Sequence, residues 1–210
     1  MPRPHGGSLA DLSAAARART LGVATMPHNL VMPANVEIKA RIASVEALLP
    51  VARALGDDEH PHLIHQDDTF FAVANGRLKL RVFGDGSGEL IHYHRADASG
   101  PKLSDYVLAP VAEPETLRET LIRACGLLGR VRKDRILILA GATRIHLDRV
   151  EGLGDFLELE VTLQDGQAEA EGTALAQDLM ARLGVQAGQL VSGAYLDLLR
   201  ARPADAAMPA

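Results

Sequence analysis

Cysteine is almost missing from this chain: Cys125 is the single one in 210 residues. One thiol cannot build an intramolecular disulfide framework, so the sequence fits a reducing compartment and a cytoplasmic location is expected. Cys125 lies in a leucine-rich helical pattern, which suits an inert buried thiol better than a nucleophile. No run approaches the ~18 apolar residues of a membrane span. Leu21 to Met26 is too short and too polar for a signal-peptide core. A basic surplus is lacking as well. The net charge of −5 argues against general nucleic-acid binding, whose footprint is usually basic. Aromatic residues make up only 3% of the chain, few for stacking a base, and no adenine-reading motif or internal repeat is visible. Strand and helix patterns do not alternate as βαβ units, so an antiparallel sheet is expected. What remains is globular, 47% hydrophobic and 23% charged, and long enough for one sizeable core.

The chain does have charges on alternate residues. They occur in Asn35-Val-Glu37-Ile-Lys39-Ala-Arg41, Arg77-Leu-Lys79-Leu-Arg81, Val131-Arg-Lys133-Asp-Arg135, Arg144-Ile-His146-Leu-Asp148 and Phe156-Leu-Glu158-Leu-Glu160. Period two is the strand period, so the charges of each stretch share one face. A solvated outer face explains any one stretch. Together they concentrate cations (Arg77, Lys79, Arg81) on one strand and paired carboxylates (Glu158, Glu160) on another, which suits a polyanion and a divalent cation. If helices cover the apolar faces, the charged faces meet around a lumen. Such an interior must hold water, metal and anions, because a dry one would be unstable. Crowded cations in the empty lumen are expected to repel one another, so removing Arg81 or Arg135 should leave stability unchanged or raised.

About eight strands and three or four helices are read along the chain. Ser44 caps a helix running to Leu55, with a kink or break expected at Pro50. Gln66-Asp-Asp-Thr69 reads as a turn before a strand, and Asn75-Gly76 as a tight turn. Residues 96–102 read as a loop, Ser104 to Val111 as a strand, and Pro114 to Leu128 as a helix with Pro in its first turn. Strands follow at Arg130–Leu139 and Thr143–Val150. Gly166 to Leu183 and Gly188 to Leu199 read as helices. Residues 1–33 read as a disordered extension, with Met26 or Met32 as possible natural starts, and 201–210 as a disordered tail. His60, His62 and His65 read as a solvated loop rather than a metal site. His92 and His94 fall on the face opposite Arg95 and are placed outside the lumen.

In this order and spacing the charged motifs, with Gly152-Leu-Gly-Asp-Phe156 between Asp148 and Glu158, resemble the CYTH family, the triphosphate tunnel metalloenzymes. That family includes class IV adenylate cyclases, thiamine triphosphatases and inorganic tripolyphosphatases. The resemblance runs from Asn35 to Leu199, a tunnel domain placed at 34–200. It implies an α+β fold: an eight-stranded antiparallel closed β-barrel with a charged tunnel and flanking helices. By position, Glu37, Asp148, Glu158 and Glu160 resemble the metal-binding carboxylates, for Mg²⁺ or Mn²⁺. Lys39, Lys79, Arg81, Arg95, Lys133 and Arg135 resemble the phosphate-binding cations, and Arg144 joins them by its face. Three departures stand out: Asn35 for the first glutamate of Glu-x-Glu-x-Lys, Phe70 for a common Tyr, and Arg95 where triphosphatases place an activating Lys. Arg95 cannot serve as a base near neutral pH. Of catalytic groups, Arg95 and His146 are the candidates, His146 as proton carrier, substrate contact or tunnel-lining structural residue.

The resemblance implies metal-dependent chemistry on a triphosphate partner such as ATP or tripolyphosphate. The step from Asp148 to Glu158 resembles the cyclase branch, so conversion of ATP to cyclic AMP and pyrophosphate is the first expectation. Alternatives are inorganic tripolyphosphatase or organic triphosphate phosphohydrolase activity, and a non-catalytic nucleotide- or polyphosphate-binding module.

Overall fold

A computed structural model describes residues 34–57, 61–95, 100–164 and 166–202, with backbone alone at Ala34 and Arg95. The expected extension at 1–33, His60, and the tail beyond Arg202 lie outside the described residues. The alternating stretches form strands. In chain order these are β1 (Ala34–Arg41), β2 (His62–Phe71), β3 (Arg77–Phe83), β4 (Gly88–Arg95), β5 (Lys102–Val111), β6 (Leu127–Ala140), β7 (Thr143–Val150) and β8 (Gly154–Thr162). All pair antiparallel, and they close into a barrel in the order β1-β5-β4-β3-β2-β6-β7-β8. Closure leaves no open sheet edge.

Among the described residues four helices accompany the barrel: α1 (Val45–Leu55), α2 (Pro114–Cys125), α3 (Glu169–Arg182) and α4 (Tyr195–Arg200). α1 and α3 cover the apolar outer faces of β1, β7 and β8, as the inverted pattern requires, while α2 lies beside β2 and β3 and α4 beside β6. Val36, Ile38 and Ala40 of β1, Ile145 and Leu147 of β7, and Leu157 and Leu159 of β8 pack with Val45 and Ala52 of α1 and Ala176 and Leu179 of α3. Full burial of each Leu or Ile contributes about 1.5–3 kcal/mol relative to exposure. This layer holds β1, β7 and β8 in place while their alternate residues turn inward. No helix among the described residues is long and apolar enough to cross a membrane.

Several boundaries differ from expectation. α1 continues through Pro50 as one element: the Ser44 side chain accepts from Ala47 N–H at 3.1 Å, and Val45 N–H donates to Asp155 at 2.7 Å. α2 stops at Cys125 because Gly126 takes φ +83°, which frees Leu127 and Leu128 for a longer β6. Cys125, expected to be buried, is half-buried there. The single helix expected over 188–199 is instead a 3₁₀ turn, Ala187–Gln189, and a separate α4, with Gly193 at φ +78° between them. Gln66 to Thr69 is strand rather than turn, paired with β3 on one side and β6 on the other. β5 starts at Lys102, not Ser104. His62 and His65 lie on β2 rather than in a loop; His65 Nδ1 lies 2.6 Å from Asp134 at an exposed position. Arg202, read as tail, donates to the Gly152 carbonyl.

Candidate functional site: a charged tunnel

Register decides which charges meet inside. On β8, Glu158 faces Lys39 of β1 on one side and His146 of β7 on the other; Glu160 faces Glu37 and Arg144. On β6, Arg135 faces Asp148 of β7, while Asp68 of β2 faces Arg81 of β3. These residues, Asp148 excepted, line one cavity of about 440 Å³, within the roughly 300–1,000 Å³ typical of small-molecule sites. Lys79, Lys133, Asn35 and Phe70 line it as well.

The cations are not crowded together bare; they are laced to carboxylates. Arg81 forks onto Asp68 at 2.7 and 2.8 Å, and Lys79 reaches the same carboxylate at 2.9 Å. Arg135 forks onto Asp148, both contacts at 2.6 Å, and also contacts Glu158. Lys133 bonds Asp148 at 3.1 Å, and Lys39 lies 3.0 Å from Glu158. Arg144 donates to Glu160 at 3.0 Å. The expectation that Arg135 or Arg81 could be removed at no cost to stability is therefore corrected: each is the forked partner of a buried acid, and removing it leaves that acid to a single lysine.

Burial and partners set the ionisation. Desolvation works against the charged form of Asp68, but Arg81 and Lys79 hold its carboxyl far below the usual range. The same contest leaves Asp148 ionised through Arg135 and Lys133, and Glu158 through Lys39, Lys133 and Arg135. Glu160 is held down at about 2, burial being outweighed by His146, Arg135 and Arg144. His146 itself is pushed down to about 4 by burial and by Arg135. Its ring is thus uncharged at neutral pH, and the two arginines are what keep Glu160 ionised there. Burial, then Arg81, pulls Lys79 down to about 8. Burial and Arg135 likewise lower Lys133.

The structure sorts the residues expected at the site. Glu37, Glu158 and Glu160 line the tunnel with Lys39, Lys79, Arg81, Lys133, Arg135 and Arg144. Asp148 differs. It is fully buried behind the lining, its oxygens taken by Lys133, Arg135 and the Tyr195 hydroxyl at 2.9 Å. It anchors Lys133 and Arg135 and lies off the lining that holds Glu37, Glu158 and Glu160. His146 faces the tunnel, and its Nδ1 is buried with no hydrogen-bond partner. His92 and His94 stay off the lining, in edge-to-face contact at 4.9 Å. The side chain of Arg95 lies outside the described residues.

Three contributors escaped the sequence reading. Asp68 sat in an apparent turn. Lys102, buried and opposite Glu37 on β5, sat in an apparent loop. Tyr195 was read as part of a longer helix; it closes over the tunnel, with Lys39 Nζ 3.9 Å from its ring centre and Lys133 Nζ 4.9 Å away. Neutral strand alternation at Ser104 and Tyr106 gave the one available hint that Lys102 continues the inward face of β5.

A hard divalent cation fits the lining. His146, Glu158 and Glu160 bring one ligand atom each within 4.8 Å of one another, and the unpartnered Nδ1 of His146 lies 3.8 Å from Glu160 Oε1. The opposite arc has another character. Ile91 and Tyr93 of β4 pair across with Leu108 and Tyr106 of β5, and all four face the cavity. Barrel closure thus gathers two of the chain's three tyrosines onto one wall.

Comparison with known proteins agrees with this architecture. The CYTH domain model matches residues 33–195. Similar solved structures include the PH1012 protein of Pyrococcus horikoshii, 24% identical, with 79% of this chain and 99% of that chain covered and a TM-score of 0.70. A candidate adenylate cyclase from Vibrio parahaemolyticus is 17% identical, with 80% and 98% covered and a TM-score of 0.64. HpAC1 from Hippeastrum, described as having a dominant triphosphatase activity, is 15% identical, with 80% and 95% covered and a TM-score of 0.59. At these identities the likeness is one of fold. No curated protein matches the chain.

Proposed function

The chain belongs to the CYTH family, and from that premise we propose a metal-dependent enzyme acting on an organic triphosphate, with ATP converted to cyclic AMP and pyrophosphate as the leading activity. The observation that carries this reading is the division of one cavity into two arcs. Cations and most of the carboxylates line β1, β2, β3, β6, β7 and β8, and β4 and β5 supply a wall in which Ile91, Tyr93, Tyr106 and Leu108 stand beside Glu89 and Ser104. A polyphosphate alone has no use for the second arc; a phosphate chain carrying an aromatic base does.

Each side chain has a role that follows from its form. Arg81 and Arg135 present planar forks to phosphate oxygens, while Lys39, Lys79 and Lys133 offer point charges. Asp68 and Asp148 hold these cations in position before substrate arrives, so little reorganisation is needed. Glu158 and Glu160, with Glu37 beside them, are the carboxylates that would hold Mg²⁺ or Mn²⁺. When bound, the divalent cation neutralises these acids and the phosphate chain together. Lys39, Arg135 and Arg144 can then share their carboxylate partners and turn toward phosphate. In ring closure the ribose 3′ oxygen bonds to the α-phosphorus, and the bond from that phosphorus to the bridging oxygen breaks. The hydroxyl proton leaves to water, and the charge on departing pyrophosphate rests on the arginines and lysines.

Hydrolysis is the second reading, favoured by the fold shared with HpAC1. A panel of ATP, other organic triphosphates and tripolyphosphate, incubated with each metal and resolved by ion-exchange chromatography, separates these. Cyclic AMP with pyrophosphate is the expected result. ADP with phosphate would select the hydrolase. Binding without product would indicate a binding module, and tripolyphosphate as the best substrate would refute the role given to the apolar arc.

A further inference from the structure

We infer that His146 is a nitrogen ligand to the tunnel's divalent cation, making the site a mixed imidazole–carboxylate centre that prefers Mn²⁺ over Mg²⁺. The inference rests on the metal-dependent reading of the tunnel and names the ion it takes. His146 is only 3% exposed. Its Nδ1 is fully enclosed and has no hydrogen-bond partner, an arrangement rare among buried polar atoms because it forfeits water and gains nothing. Glu160 Oε1 is 3.8 Å away, beyond hydrogen-bond reach.

That spacing suits an ion between the two atoms. Ligand atoms each about 2.1 Å from one cation lie up to ~4.2 Å apart. Glu158 joins the set, with ligand atoms of all three residues inside 4.8 Å, so the side chains need draw in by only about half an ångström around a bound ion. The donors that could have satisfied the imidazole are committed elsewhere: Lys133 and Arg135 bond Asp148, and Lys39 and Arg144 contact Glu158 and Glu160. Both glutamates keep acceptor capacity beside those ion pairs, since a carboxylate offers about four lone-pair positions. Antiparallel register places the histidine there. His146 is directly opposite Glu158 on β8, and Glu160 lies two residues along the same face. Imidazole binds transition ions better than Mg²⁺, which keeps to oxygen donors.

Pulsed EPR of Mn²⁺ bound to the full chain, natural and ¹⁵N-histidine-labelled, tests this on the wild-type protein. A histidine nitrogen coupling that changes with the label is expected. Titrations should show His146→Gln losing at least about tenfold in Mn²⁺ affinity while Mg²⁺ affinity moves less than about threefold. Glu158→Gln and Glu160→Gln should lose both ions. Mn²⁺ bound with no histidine coupling, yet lost in both glutamate variants, would overturn the role of His146 and leave the tunnel metal site standing. Failure to bind Mn²⁺, or binding untouched by either glutamate variant, would overturn both. The wild-type spectrum decides the matter even if His146→Gln fails to fold.

Discussion

Replacing Asp148 by Asn removes one negative charge from the most enclosed point of the tunnel wall. The carboxylate is 0% exposed and receives Arg135 twice at 2.6 Å, Lys133 at 3.1 Å and the Tyr195 hydroxyl at 2.9 Å. Asparagine keeps the volume and one acceptor, but it leaves Arg135 and Lys133 sharing what Glu158 can offer. Breaking a buried ion pair costs about 3–5 kcal/mol; with the amide retaining some bonding, the lower end, about 3 kcal/mol, is expected. For a chain of this size each kcal/mol shifts Tm by ~2–4 °C, so Asp148→Asn should melt about 6–12 °C earlier. Circular dichroism at neutral pH gives the number. The pH profile checks the cause. Arg135 and Lys133 hold the folded-state pKa of Asp148 below its ordinary value, so its contribution is complete above the unfolded pKa of 3.8 and is lost as pH falls below it toward the folded value. The gap between wild type and variant should stay flat from neutral pH to about 5 and close in acid. A Tm within about 2 °C of wild type at neutral pH, or a gap that widens in acid, would refute the reasoning.

Other consequences can be checked alongside. Lys79 titrates near 8 in the folded protein, so ATP binding should weaken as pH rises through that value; Lys79→Arg stays charged and should flatten the profile, and superimposable profiles would remove Lys79 from the phosphate site. The same depressed pKa means that the unfolded chain binds more protons between pH 8 and 10.5, so this residue's contribution to stability rises with pH there. Tyr195→Phe keeps the edge contact with Phe156 but loses the hydroxyl to Asp148, at about 1.5–3 kcal/mol in urea unfolding; an unchanged midpoint would make that bond incidental. Arg135→Ala should lower the Tm of the ligand-free protein by removing the forked partner of Asp148, and it should separately weaken ATP binding; a Tm that holds or rises would restore the view of mutually repelling cations.

The inward faces of β1, β3, β6, β7 and β8 were legible because charge on alternate residues has one simple geometric meaning, and apolar intervening residues named the covered face. Gln66-Asp-Asp-Thr69 was not, since the residues that favour turns in water are those a polar lumen accepts in a strand. Lys102 was hidden by Gly100-Pro101 just before it, a local loop signal overridden by pairing of β5 with β1. Pairing across the barrel is non-local in sequence, so nothing showed that Tyr93 would meet Tyr106, or that His146 would face Glu158. The metal-side role expected of Asp148 rested on its position beside the Gly-Leu-Gly turn; only the fold reveals that Lys133, Arg135 and Tyr195 claim its oxygens first.

The most direct test of the account is turnover of ATP by Glu160→Gln across a titration of Mg²⁺ and Mn²⁺. Glu160 lines the tunnel between Glu37 and Arg144, and its loss leaves the covered outer faces of β1, β7 and β8 intact. The account predicts a folded protein whose metal-dependent turnover falls by at least ~10–100-fold, the range seen when a metal site loses a supporting group. Wild-type turnover with an unchanged metal dependence would contradict it.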